Sequence, residues 1–262
     1  MANNYIDLCE SLWRDWLGES LDVSSSIEST FDLQAAPEPY VLFNAGMQPV
    51  VFLLTNPGQT MSHQLQENVK KDDVGPLTRN INYATAAQNL GVHYQTELIK
   101  PGNQAGHRIV RMLELSRLVG AHGVINVETC PFHSHSLPNK MKLLKESTQV
   151  GFMKTYVQSL QTYLTEKPVV IVSAVSSKES LHGETKVSEW LAWQAQIAGL
   201  NFAAASFTPL VKKGDKTTCG AFVSTGVGVR ATKALVLMMG SNNLPGDEGL
   251  KLLADAFLKS EP

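Results

Sequence analysis

The sequence predicts an α/β protein, and three observations lead to that fold class. Short runs rich in valine, isoleucine and leucine recur along the chain, and segments with helical spacing of apolar residues separate them. The runs are nearly continuous instead of alternating, which is typical of strands buried on both faces of a parallel sheet. Turn-forming residues follow several of these runs directly. We therefore expect a three-layer α/β/α sandwich around a central, mainly parallel sheet of four strands.

The composition is that of an ordinary globular protein. The 262 residues are 43% hydrophobic, which is enough to bury a sizeable core without disulfide bonds or bound metal ions. We expect one domain over residues 1–262, with residues 1–35 as an N-terminal helical cap. The formal net charge of −2 excludes a globally basic nucleic-acid binder, but it leaves a local cationic groove open.

The cysteines and the hydropathy pattern indicate the compartment. Cys9, Cys130 and Cys219 are odd in number and widely spaced, so they form neither a disulfide framework nor a four-thiolate cluster. The first residues carry acidic side chains within their apolar pattern, which is not typical of a secretory signal. No apolar run approaches the roughly 20 residues of a membrane span. We expect an intracellular, cytoplasmic protein without a membrane segment.

The sequence predicts that helices and strands alternate along the chain. Residues 4–17 have helical spacing, and a long polar loop is expected at 59–85. The predicted strands are 40–46, 49–56, 123–128, 168–175 and 234–240, the predicted helices are 104–119, 151–166, 185–199 and 246–259, and a lysine-rich hairpin surrounds 212–216.

Polar residues follow two of the predicted strands at the point where each strand ends. VVFLLTNPG at 50–58 ends in Asn56, Pro57 and Gly58, and GVINVETCPFHS at 123–134 carries polar groups around its own end. Open α/β folds bind ligands at the carboxyl ends of their strands, so these two ends predict one cleft. Taken alone, the first segment is better described as a plain Asn-Pro-Gly turn, because Asn, Pro and Gly are the commonest turn formers.

These two segments resemble motifs of the uracil-DNA glycosylase superfamily. LLTNPG at 53–58 is similar to the first motif of the mismatch-specific branch, and VINVETCPFHS at 124–134 is similar to the middle motif of the thermophile-type branch. The resemblance implies that Asn56 positions the attacking water and that Asn126 hydrogen-bonds the flipped base. We expect Asn56 and His133 to be catalytic. The expected base-binding residues are Asn126, Gln59 and Phe132, and the expected DNA-binding residues are Pro57, Gly58, Ser134, Ser241, Asn242, Asn243 and Leu244.

Two departures from the family pattern stand beside this resemblance. The four cysteine ligands of the thermophile-type iron-sulfur cluster are missing, and MGSNNLPG at 239–246 occupies the place of the usual last motif. There Ser241, Asn242 and Asn243 can donate to a phosphate or a base, while Leu244 can fill the vacated base stack. The same residues equally suit a polar loop that begins a helix, with Ser241 or Asn243 as its cap.

The sequence therefore predicts a monofunctional DNA glycosylase that flips out and hydrolytically removes a uracil-type or modified pyrimidine base, leaving an abasic site. Its role would be DNA repair or defence against modified viral DNA. DNA is the expected partner of a monomeric protein without cofactor or metal, since His133 and His135 have no HExxH or cysteine pattern beside them. Two alternatives are a catalytically silent nucleic-acid-binding module of the same fold and an α/β enzyme that processes nucleotides or nucleosides.

Overall fold

A computed structural model gives the architecture of the protein for part of the chain. It describes residues 5–33, 37, 39–43, 50–55, 104–121, 123–134, 143–144, 146, 148–166, 169–175, 193–194, 196–198, 208–213, 216–227, 232–239 and 244–259. The predicted loop at 59–85 and most of the predicted helix at 185–199 lie outside these residues.

The described residues form both helices and strands, so a mixed helix-and-strand fold is confirmed. The helices are α1 Tyr5–Leu17, α2 Ser25–Glu28, α3 Gln104–Leu118, α4 Gly151–Thr165 and α5 Asp247–Lys259. The strands are β1 Tyr40–Phe43, β2 Val50–Leu54, β3 Val124–Glu128, β4 Val169–Val175, β5 Thr208–Lys213, β6 Lys216–Val227 and β7 Thr232–Met239.

Within the described residues the sheet has seven strands in the order β1-β3-β2-β4-β7-β6-β5. Strand β4 pairs in parallel with both β2 and β7, as the continuous apolar runs predicted. Strands β6 and β5 extend the sheet beyond β7 with antiparallel pairing. A sheet of four strands is therefore not confirmed, because β1, β3, β2, β4 and β7 already make five and the lysine-rich hairpin adds two more. The three-layer arrangement remains a prediction.

The chain divides into two compact units, and each unit consists of three separate stretches of sequence. The first unit contains Met1–Val41, Thr55–Asn89 and Val127–Tyr163. The second contains Leu42–Leu54, Leu90–Asn126 and Leu164–Pro262. The expectation of one domain stays a prediction.

Helix α1 anchors the first unit through one buried face. Tyr5, Cys9, Leu12 and Trp13 are buried at helical spacing, which confirms the amphipathic helix predicted over 4–17. The indole Nε1 of Trp13 donates to the carbonyl oxygen of Pro37 at 2.7 Å. The hydroxyl of Tyr5 lies 2.9 Å from the carbonyl oxygen of Pro39. Helix α1 therefore fixes the segment that leads into β1.

A chain of aromatic rings fills the core of the same unit. Tyr5 lies 5.7 Å from Tyr156, ring centre to ring centre, and Tyr156 lies 5.7 Å from Phe152. Phe132 follows at 6.1 Å from Phe152, and Phe31 lies 6.4 Å from Phe132. Tilted rings at such distances pack favourably, so these rings join α1, α4 and the chain after β3.

In the second unit, β2 is a buried strand, and helix α3 ends shortly before β3 begins. All five residues of β2 are buried, as expected of a central strand. Helix α3 ends in a Schellman motif, in which the amide of Ala121 donates to the carbonyl of Ser116 at 2.9 Å. Gly120 has a φ of 79°, which favours glycine at this position. The helix end predicted at Gly120 is confirmed.

Helix α5 packs on α3, β5 and β6 in the second unit. Its buried residues are Gly249, Leu250, Leu253, Ala254 and Phe257, which form one helical stripe. Asp247 and Glu248 stand in the first turn and Lys259 in the last, in the order that complements the helix dipole.

Alkaline pH should unfold the first unit through its tyrosines. Burial raises the pKa of Tyr5 and Tyr156 well above the usual value of 10.0, and it raises the pKa of Tyr163 to about 12. The neutral phenols therefore stabilise the fold fully below about pH 10, and that stability is lost as the pH rises further. Each such group should remove about 1.4 kcal/mol of unfolding free energy per pH unit above that point.

Denaturant unfolding at a series of pH values, with tyrosinate absorbance and near-UV circular dichroism, checks this prediction. Tyr5→Phe and Tyr156→Phe should each make the alkaline fall less steep. Complete tyrosinate formation in a protein that keeps its native near-UV signal would contradict the prediction.

Candidate functional site

Five of the twelve residues predicted for the site lie among the described residues. These are Asn126, Phe132, His133, Ser134 and Leu244. The other seven lie outside the described residues, namely Asn56, Pro57, Gly58, Gln59, Ser241, Asn242 and Asn243.

A backbone hydrogen bond joins the two segments that resemble glycosylase motifs. The amide nitrogen of Cys130, two residues after the end of β3, donates to the carbonyl oxygen of Thr55 at 2.9 Å. Thr55 immediately precedes Asn56 in the sequence. Strands β3 and β2 are neighbours in the sheet. The chain after β3 is thus adjacent to the chain that enters the Asn-Pro-Gly segment.

Further hydrogen bonds hold residues 128–134, which comprise the last residue of β3 and the chain that follows it. We call these residues the post-β3 segment. The amide of Glu128 donates to the carbonyl of Pro39 at 3.0 Å, and the hydroxyl of Tyr156 donates to the carbonyl of Glu128 at 2.8 Å. At the far end, the amide of Asp32 donates to the carbonyl of His133 at 2.9 Å. Separate parts of the first unit therefore fix both ends of this segment.

The post-β3 segment is mostly buried. Phe132 and His133 each expose 1% of their surface, and Ser134 is half-buried. Phe132 packs between Phe31 and Phe152. In this arrangement Phe132 is a core residue, and a base can stack on its ring only after the surrounding side chains move.

Asn126, in the second unit, contains a buried acceptor. Its side chain is half-buried, and its Oδ1 atom is buried without a hydrogen-bond partner among the residues that the structure describes. The neighbouring Ile125 and Val127 are core residues. A buried acceptor without a donor costs about 1–3 kcal/mol, which a ligand that brings an N–H group would recover.

Leu244 lies in the second unit directly before α5. It exposes only 2% of its surface, and its backbone carbonyl accepts a hydrogen bond from the guanidinium of Arg111. The side chain is part of the core in this arrangement, so insertion into a base stack requires the segment before α5 to open.

Sequence reasoning missed two buried donors at the strand ends. Tyr156 donates to Glu128 at the end of β3, and Nε2 of Gln194 donates to the carbonyl of Leu54 at the end of β2 with a distance of 2.8 Å. Gln194 is fully buried, and it stands in a helical segment of the second unit. Both helices were predicted from the spacing of their apolar residues. That spacing does not indicate which buried polar side chain will donate a hydrogen bond.

The described residues offer no ready metal site or membrane segment. Within the described ranges, no three His, Cys, Asp or Glu side chains are grouped so that they can hold a metal ion. Among the helices that the structure describes, none combines the length and apolarity needed to cross a bilayer.

Comparison with models of known protein families, with curated proteins and with solved structures finds no match to this chain.

Two buried thiols should resist chemical modification in the folded protein. Burial raises the pKa of both Cys9 and Cys130 far above the usual thiol value, so neither forms the reactive thiolate near about pH 8. With Cys219→Ser as background, a thiol reagent should label neither residue in native buffer and both in denaturant. Labelling of either native thiol at the rate of a small-molecule thiol would disprove this.

Proposed function

We propose that the protein is a monofunctional DNA glycosylase that removes a uracil-type or modified pyrimidine base from DNA. The observation that carries the proposal is the buried Oδ1 acceptor of Asn126, which has no donor among the described residues. Asn126 is the residue to which the sequence resemblance assigns recognition of the flipped base. An amide presents a donor and an acceptor side by side, which suits the edge of a pyrimidine.

The hydrogen bond between Thr55 and Cys130 gives further support. It brings the chain that enters Asn56 next to the post-β3 segment. The proposed chemistry needs these two segments together, because one holds the water and the other meets the base. We also propose that the helices and the sheet form the three-layer α/β/α sandwich that the sequence predicts.

In the proposed mechanism, Asn56 orients the water and the leaving base is stabilised separately. An amide cannot deprotonate water near neutral pH, so the glycosidic bond must break largely before the water attacks. The sugar then develops positive charge, as in glycoside hydrolysis. Negative charge grows on the base oxygen, where His133 and the backbone N–H groups of Gly58 and Gln59 are the proposed donors.

The remaining proposed residues bind the base and the DNA. Gln59 and Phe132 would contact the flipped base. Pro57, Gly58, Ser134, Ser241, Asn242 and Asn243 would contact the backbone, and Leu244 would occupy the gap in the stack. Base flipping costs a few kcal/mol, which these contacts must offset.

Substitution of Asn56 tests the proposal. Wild-type protein is incubated with plain, uracil-containing and heavily modified DNA, and abasic sites are revealed by alkali or an abasic-site nuclease. Asn56→Ala should abolish base release because no side chain then orients the water, and it should leave DNA binding intact. Asn126→Ala should lower base release by about a hundredfold, the size seen when one key transition-state contact is lost.

Binding measurements on the same DNA substrates provide the control. Wild-type protein that binds DNA but releases no base from any substrate would be a silent binding module. Release of base from free nucleosides without competition by duplex DNA would identify a nucleoside-processing enzyme. Unchanged abasic-site formation by Asn56→Ala would remove Asn56 from the mechanism.

A further inference from the structure

The last residues of β2 and β3 share one feature. The carbonyl of Leu54 accepts a hydrogen bond from Nε2 of Gln194, and the carbonyl of Glu128 accepts one from the hydroxyl of Tyr156, each at 2.8 Å. Both donor side chains are fully buried. Each donor belongs to the same compact unit as the carbonyl that it holds.

The position of the two carbonyls gives these bonds their importance. Leu54 stands two residues before Asn56, and Glu128 stands two residues after Asn126 and five before His133. The orientation of a peptide group sets the direction of the chain that follows it, because each residue has only two soft dihedral angles. A side chain that fixes such a carbonyl therefore fixes the start of the segment that carries the proposed chemistry.

The hydrogen bonds of the Tyr5 and Tyr156 hydroxyls are best satisfied when Tyr156 donates to the carbonyl of Glu128. The hydroxyls of Tyr5 and Tyr156 are 3.0 Å apart, Tyr5 also reaches the carbonyl of Pro39, and Tyr156 reaches that of Glu128. Two hydroxyl hydrogens serve these three contacts, so one contact is always without a hydrogen. The Pro39 carbonyl already accepts the amide of Glu128 at 3.0 Å. The three oxygen acceptors are all satisfied when Tyr5 donates to Tyr156 and Tyr156 donates to Glu128.

We propose that Tyr156 and Gln194 are positioning residues for base excision, each holding the last carbonyl of a strand that leads to a reacting group. The inference rests on the proposed function. Neither side chain contacts the substrate in this proposal; each acts through the backbone that it orients. A displacement of about 1 Å in a reacting group can lower a rate by about a hundredfold, so the loss of one such bond should be visible in the chemical step.

Single-turnover kinetics on the DNA that wild-type protein cleaves provides the test. Tyr156→Phe removes only the hydroxyl and keeps the ring between Phe152 and Tyr5, and Gln194→Met keeps the size of the side chain. We expect each variant to lower the rate constant of base release by about tenfold to a hundredfold. The reaction amplitude and the Kd for DNA should stay within about twofold, since positioning lowers the rate of each molecule and not the fraction of folded molecules.

Two matched variants make the test specific. Tyr5→Phe removes a hydroxyl 3.0 Å away and leaves Tyr156 free to donate to Glu128, so its rate constant should stay within about twofold of wild type. Gln161→Met makes the same change as Gln194→Met at an exposed position of α4 and should also leave the rate unchanged.

The outcomes separate this inference from the function on which it rests. An active wild type with unchanged rate constants in both Tyr156→Phe and Gln194→Met overturns the positioning role alone. A fall in amplitude or thermal stability without a fall in rate constant also overturns it, because that result indicates a purely structural bond. A wild-type protein that releases no base from any DNA overturns the proposed function and the positioning role together.

Discussion

The last carbonyl groups of β2 and β3 each accept a hydrogen bond from a buried side chain, and the two strand ends depend on these bonds. Water does not reach these positions, because Leu54 and Glu128 are both buried. An unsatisfied buried carbonyl would cost about 1–3 kcal/mol, so each end recruits a side chain as donor. The chains that follow the two strands are joined by the Thr55–Cys130 hydrogen bond.

The sequence predicted where these strands lie, because continuous apolar runs are local features of the chain. Continuous apolar runs identified β2, β3, β4 and β7, and Gly120 marked the end of α3 through its own backbone freedom. The donors that hold the strand ends come from distant parts of the chain. Tyr156 lies 28 residues from Glu128, and Gln194 lies 140 residues from Leu54. Periodicity reports which face of a helix is buried, but it does not report what a buried hydroxyl or amide will meet.

The environment of His133 shows the same limit at the candidate site. Polar residues after β3 were predicted to share one cleft with the end of β2, and in the described residues the chain around Asp32 pairs with His133 while Phe31 packs against Phe132. Contacts over about a hundred residues of sequence depend on loop closure and packing, which no local pattern encodes. The hairpin of β5 and β6 is similar, since its turn was recognisable but its addition to the edge of the sheet beyond β7 was not.

The buried side-chain oxygen of Asn126 is a feature that a ligand site would explain and a purely structural strand would not. Stability alone would favour an apolar residue between the buried Ile125 and Val127, because the amide there contains an acceptor that meets no donor in the described part of the chain. A ligand donor would remove that penalty only in the bound state, so the cost in the free protein becomes affinity for whatever carries the donor. Binding of this kind discriminates strongly, because a ligand that lacks the donor leaves the acceptor unpaired. A base pocket uses the same principle, since hydrogen bonds to the base edge, and not burial alone, separate one pyrimidine from another.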